Sequence, residues 1–234
     1  MTQPISNWSQ RAKLFFQTLT DLAFPPVCVV CQKPDHLICK NCYKDIEWLS
    51  ESFCSYCLRQ KTAVSCCHGS LQGMYTAVSY VGPIPKAIHH LKYEGHFAFA
   101  KPLAEIMMAA WQAHWSFPQY IIPIPLHQNR QKKRSYNQSE LLAKEIAEKW
   151  PIELITDGLF RIRQTTPQVG LNAHERQSNV DNAFWASETV RNQSVLLIDD
   201  VFTTGATMQA AATALVQAGA KEVFGFTLAK ANLH

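Results

Sequence analysis

A chain of 234 residues, 47% hydrophobic and 17% charged, can build one substantial core with a small attachment and is neither disordered nor collagen-like. Its formal net charge of +4 excludes the strongly basic surface of a dedicated nucleic-acid domain, so any such contact must come from local patches. No stretch reaches the roughly 20 consecutive apolar residues of a membrane span.

Three segments are expected in chain order: an N-terminal amphipathic helix over 1–25, a cysteine-rich module over 26–70 and an α/β domain over 71–234. In the first, Trp8, Phe15, Leu19 and Leu22 fall on one helical face, and Pro25 and Pro26 stop it. It lacks a small-residue cleavage site and does not read as a signal peptide.

All eight cysteines lie between Cys28 and Cys67. That clustering favours metal thiolates in a reducing, cytoplasmic setting over a disulfide framework. Cys28, Cys31, Cys39 and Cys42 form two C-x2-C pairs separated by seven residues, a spacing that lets both pairs close around one tetrahedral zinc. A helix is expected after the second pair, over 41–48. Redox cysteines or buried thiols are the plainer alternative. Cys54, Cys57, Cys66 and Cys67 make a second set whose last two members are adjacent. His68 can replace one of them, and whether a second zinc binds there stays open.

Beyond the module, residues 74–81 (MYTAVSYV) have strand composition, and 85–91 and 97–111 are helical on either side of Glu94–Gly95. The run 120–126 (YIIPIPL) is a buried strand entering a proline-bearing loop. Residues 137–149 carry Leu141, Leu142 and Ile146 at helical spacing. A short strand is expected at 152–155, then a long polar loop over 161–181. Residues 194–199 (SVLLID) form a continuous apolar run ending in carboxylates, as in a central parallel strand. An alanine-rich helix over 204–217, Gly219 as its C-cap and a strand at 222–229 complete a βαβ unit. The fold class is therefore α/β with a mainly parallel sheet.

Residues 195–207 (VLLIDDVFTTGAT) place two carboxylates at a strand end and a hydroxyl-rich loop at a helix start. The helix N-terminus offers unpaired N–H groups and the positive end of its dipole, and Gly205 permits close backbone approach beside Ala206. Thr203, Thr204 and Thr207 add hydroxyl donors. Asp199 and Asp200 can accept from the 2′- and 3′-hydroxyls of a ribose. The bland reading is a threonine-capped helix after two exposed aspartates; Thr-Thr-Gly alone does not separate the two.

The whole string resembles the phosphoribosyl-pyrophosphate (PRPP) motif of type I phosphoribosyltransferases. The wider chain is similar to the ComF family of competence proteins, also grouped with GntX. That resemblance rests on the paired C-x2-C, HHLKYEG at 89–95, IPIPLH at 122–127, RQKKRSYNQ at 130–138 and later positions including Arg176, Asn179 and Phe184. It implies a type I phosphoribosyltransferase-like fold with a small N-terminal zinc module held by four cysteines. It also implies a pyrophosphate loop at 124–127, a flexible loop at 161–181 and Mg²⁺ carried with PRPP. Catalysis, where retained, would displace pyrophosphate at the anomeric carbon, with Asp199 and Asp200 as the candidate catalytic residues. Phe202 and Ser135 stand where the family often has valine and glycine, and no segment that selects an acceptor is recognisable.

Arg130, Lys132, Lys133 and Arg134 form a basic cluster beside Tyr136, and Lys92 belongs to a second cationic stretch. Single-stranded DNA contact, through charge and stacking, and pyrophosphate contact remain equally open for these residues, with a solvated approach to the next helix as the plainer reading. The function implied is a ComF-like competence protein that handles single-stranded DNA in natural transformation and carries a PRPP site. The alternative is an active phosphoribosyltransferase on an unidentified base or amine. Expected partners are PRPP, single-stranded DNA and other DNA-uptake or recombination proteins.

Overall fold

The computed structural model describes residues 26–49, 69–111, 118–126, 136–163 and 182–231. The expected helix over 1–25, the second cysteine set with His68, and the basic cluster at 130–134 lie outside them.

Five strands make one parallel sheet in the order β1-β7-β6-β2-β3: β1 (Gly73–Ser79), β2 (Tyr120–Pro123), β3 (Glu153–Leu154), β6 (Ser194–Phe202) and β7 (Glu222–Lys230). The strands run apolar because helices cover both faces of such a sheet. On β6, Leu196 and Ile198 face a core built with α2 (Ile84–Tyr93), α3 (Ala100–Ala110) and α4 (Gln138–Ala147). Val195 and Leu197 face the opposite core, under α5 (Ala206–Gln217). The segment after β2 therefore crosses to one face and the segment after β6 to the other. The gap between the carboxyl ends of β2 and β6 is the topological switch point at which α/β sheets bind ligands.

Strand β1 is an outer strand of the sheet, yet all seven of its residues are buried. Its open side is covered by the tail of the cysteine module: Ser79 N–H donates to the Glu47 carbonyl at 2.8 Å, and Leu49 N–H to the Ala77 carbonyl at 2.9 Å. An uncovered strand edge invites pairing with other chains, so this tail protects the sheet as it anchors the module. Val29 and Ile46 extend the same core into the module.

This arrangement corrects the helix expected over 41–48. Only α1 (Lys40–Tyr43) is helical, because Ile46 is needed in the core and Trp48 pairs with Val78 across the sheet edge. Three further differences bear on the site. Strand β6 continues past residue 199 to Phe202, since its main chain stays paired with β7 up to Lys230. Helix α5 starts at Ala206, not Thr204, because Gly205 holds φ +80°. On either side of residues 164–181, which lie outside the described residues, β4 (Leu159–Arg161) and β5 (Phe184–Ala186) form an antiparallel pair that periodicity did not announce. Strands of three residues are too short to show a period.

Candidate phosphate cradle and cysteine knuckle

The carboxyl ends of β2 and β6, the start of α4 and the end of α2 enclose a cavity of about 870 Å³. Asp199 and Asp200 sit on its floor. Successive strand residues point to opposite sides, and the two carboxylates accordingly have different partners. Asp200 is buried and its Oδ2 lies 2.7 Å from Lys92 Nζ, which reaches in from the last turn of α2. Asp199 Oδ1 accepts from Ser139 Oγ and from the Asp200 N–H, each at 2.9 Å. Burial pushes the Asp199 carboxyl up to about 6, the Asp200 charge adds to the rise, and Lys92 with the two hydrogen bonds opposes it.

Ser139 is placed by Asn137, whose side chain works in two directions. Its Oδ1 accepts from the Ser139 N–H at 3.1 Å and caps α4. Its Nδ2 donates to the Ile124 carbonyl at 3.0 Å and ties the helix start to the loop after β2. Both Asn137 and Ser139 are buried.

At the opposite wall, residues 203–205 turn into α5. The Ala206 N–H donates to Thr204 Oγ1 at 3.4 Å, and Thr203, Gly205, Ala206 and Thr207 all line the cavity. The left-handed φ of Gly205 suits glycine, and it starts a twelve-residue helix whose first residues, Ala206 and Thr207, line the cavity. Arg161 lines the cavity too, with its guanidinium 5.3 Å from the centre of the Phe184 ring.

The fold thus brings together Lys92, Asp199, Asp200, Thr203, Gly205, Ala206 and Thr207, all singled out in the sequence. Tyr136 also lines the cavity; its hydroxyl donates to the Leu91 carbonyl and its ring meets Phe97 edge-on at 4.7 Å. Sequence reasoning missed Ser139, Asn137 and Arg161. A capping Asn followed two residues later by Ser was the available signal for the first pair.

The second constellation is Cys28, Cys31, Cys39 and Cys42, whose Sγ atoms all lie within 4.8 Å of one another. Cys31 and Cys39 are 3.6 Å apart, close to the roughly 3.8 Å that two thiolates at 2.3 Å take around tetrahedral zinc. Left-handed Gln32 and Asp35 bend the chain between the pairs, and the Cys39 N–H donates to Cys28 Sγ at 3.4 Å. Burial opposes ionisation of Cys28, but the N–H groups of Cys31, Cys39 and Val30 outweigh it and bring the thiol to about 6. Cys42 is pushed up to about 12, by burial first and then by its neighbours' sulfurs. A dication resolves that conflict by taking all four as thiolates.

A phosphoribosyl transferase domain model matches residues 133–232, and a double zinc ribbon domain model matches 19–69. Competence protein F of Haemophilus influenzae is 28% identical over 215 residues, covering 88% of this chain and 90% of that one. DNA utilization protein YhgH of Shigella flexneri is 30% identical over 205 residues, covering 84% of this chain and 87% of that one. The chain belongs to the ComF family. Within it, competence protein ComFC of Streptococcus pneumoniae is 25% identical over 209 residues, covering 86% of this chain and 91% of that one. This ComF-family chain therefore joins a zinc ribbon to a phosphoribosyltransferase fold, with its cysteine cluster suited to zinc. Among the described residues no helix is long and apolar enough to cross a membrane.

Proposed function

We propose that the protein is a cytoplasmic competence factor that handles single-stranded DNA during natural transformation and binds PRPP in the cavity between β2 and β6. The observation that carries the ligand reading is the split carboxylate pair, Asp199 held by Ser139 and Asp200 held by Lys92, opposite the N-terminus of α5. One side of the cavity then offers acceptors for ribose hydroxyls, and the other offers N–H and hydroxyl donors for the 5′-phosphate. Lys92 supplies a cation for the pyrophosphate, and exchange of its partner from Asp200 to phosphate oxygen is the natural step on binding. Mg²⁺ carried with PRPP would neutralise its phosphates and hold the ribose hydroxyls beside the carboxylates.

For DNA, the support is what the relatives' names say of competence and DNA utilization, together with a pair of exposed rings. Phe160 on β4 and Trp185 on β5 lie 5.4 Å apart and are 40% and 52% exposed, which offers faces on which bases stack. The cluster Arg130, Lys132, Lys133 and Arg134 supplies the charge.

Calorimetric titration with PRPP and Mg²⁺ tests the cradle. Saturable binding is expected in the native chain, with none in the Asp199→Asn, Asp200→Asn variant; equal binding in both overturns the assignment. Pyrophosphate release on adding bases or amines would make the protein an active transferase. For DNA, affinity is expected to fall steeply with salt and on neutralising the four basic residues. Unchanged affinity in that variant removes the patch from the interface.

A further inference from the structure

The elbow between α2 and α3 carries chemistry that the cradle does not use. His90 and Glu94 stand four residues apart on one face of α2 and its C-cap. Gly95 then takes φ +66°, and the reversal brings His96 back to the same point. His90 Nδ1 lies 2.6 Å from one Glu94 carboxylate oxygen, His96 Nδ1 lies 3.9 Å from that oxygen, and the two nitrogens are 3.2 Å apart. Three N and O donors about 2.0–2.1 Å from one tetrahedral ion are roughly 3.3–3.4 Å from each other, and the three separations bracket that spacing.

The rings are held in place. Phe99, itself buried, lies nearly parallel to both, at 21° to His90 and 16° to His96. The second Glu94 oxygen is 3.3 Å from His89 Nδ1, an outer contact of the kind that orients a ligating carboxylate. His90 Nδ1 is within hydrogen-bond distance of both Glu94 and His96 Nδ1, so ligand atoms from three positions meet at one point.

We propose that His90, Glu94 and His96 form a binding site for a transition-metal dication of the zinc class, separate from the cysteine knuckle. Two imidazoles and one carboxylate select such an ion over Mg²⁺ or Ca²⁺, which favour oxygen donors. Three protein ligands leave a fourth position for water. The ion ties the C-terminal end of α2 to residue 96. Lys92 projects from that end into the cradle, so the site stiffens the helix that carries the cradle's cation. The proposal does not rest on PRPP binding.

The test uses the full-length, untagged protein with its cysteine sites loaded with zinc and the excess dialysed away. Zinc is then titrated into the native chain and into His90→Ala, His96→Ala and Lys86→Ala. One additional equivalent is expected in the native chain and in the Lys86→Ala control, with affinity about tenfold or more weaker in each histidine variant. Backbone amide exchange over residues 90–99 should slow on zinc addition in the native chain and not in His96→Ala, whose largely exposed side chain can be removed without unfolding the protein. No additional equivalent in the native chain, or matching isotherms for it and His96→Ala, overturns the site.

Discussion

In the cysteine knuckle all four ligands come from residues 28–42, while the cradle draws Lys92, Ser139 and Asp199–Asp200 from three elements spread over more than a hundred residues. The knuckle has little apolar burial of its own beyond Val29 and Ile46, which it lends to the main core. A metal held by the four cysteines is therefore expected to carry much of its stability. The cradle stands on a sheet buried on both faces. One arrangement is fixed by local spacing and an ion, the other by the packing of the whole domain.

Stripping zinc with a chelator should break this comparison most sharply. Structural zinc contributes on the order of 10 kcal/mol to the folding of small modules, so residues 26–49 should become protease-sensitive. The central sheet should keep most of its far-ultraviolet dichroism, because its two cores draw only Val29 and Ile46 as buried members from the module. Since Glu47 and Leu49 cover β1, loss of the knuckle should also raise the tendency to aggregate. A knuckle equally resistant to protease with and without zinc would contradict this division.

The cradle's largest single-residue effect is expected at Lys92. Replacing it with Met leaves the buried Asp200 carboxylate without its cation, which costs about 2–4 kcal/mol at a partly buried pair. Urea unfolding of Lys92→Met, Asp200→Asn and the double variant measures this. The double variant should recover at least half of the Lys92→Met loss, because its buried charge is gone. Strict additivity would mean that the pair does not couple.

Asn137→Ala should follow at about 2 kcal/mol, from loss of a helix cap together with a buried donor to the Ile124 carbonyl. Thermal unfolding reads the stability. A matching loss of PRPP affinity would show that the loop after β2 is held in place through α4.

The same contrast explains what could be read from the sequence. The quartet Cys28, Cys31, Cys39 and Cys42 is legible because ligand spacing alone places it. The run at 194–199, the alanine-rich helix and Gly205 disclose the cavity wall at 203–207 because strand, turn and helix are consecutive. Lys92 could be picked out only as one cation among several, since its pairing with Asp200 depends on how α2 lies across the sheet. Ser139 was invisible for the same reason: its hydroxyl matters because α4 begins beside the end of β6. The tail at 47–48 looked helical by continuation from the second cysteine pair. The demand of a strand edge for backbone partners overrode that local tendency.

Asp199 is where the cradle's electrostatics can be tested with the smallest change. Its carboxyl is raised to about 6, chiefly by burial and then by Asp200, against about 3.9 in an unfolded chain. The folded state therefore binds this proton more tightly. The stabilisation that results is complete below about pH 4 and is lost as pH rises through 6. Asp199→Asn keeps an oxygen to accept from Ser139 and removes the charge. The variant should thus be about 1–2 kcal/mol more stable than the native chain at pH 8 and gain little at pH 4, as read from denaturant unfolding at the two values. Its PRPP binding should move the other way and weaken, because a hydroxyl donates more strongly to a carboxylate than to a neutral amide oxygen. Lower stability of Asp199→Asn at pH 8 would mean that the hydrogen bonds to the carboxylate outweigh its burial and its repulsion from Asp200. The cradle would then be held together by the charge that it presents to its ligand.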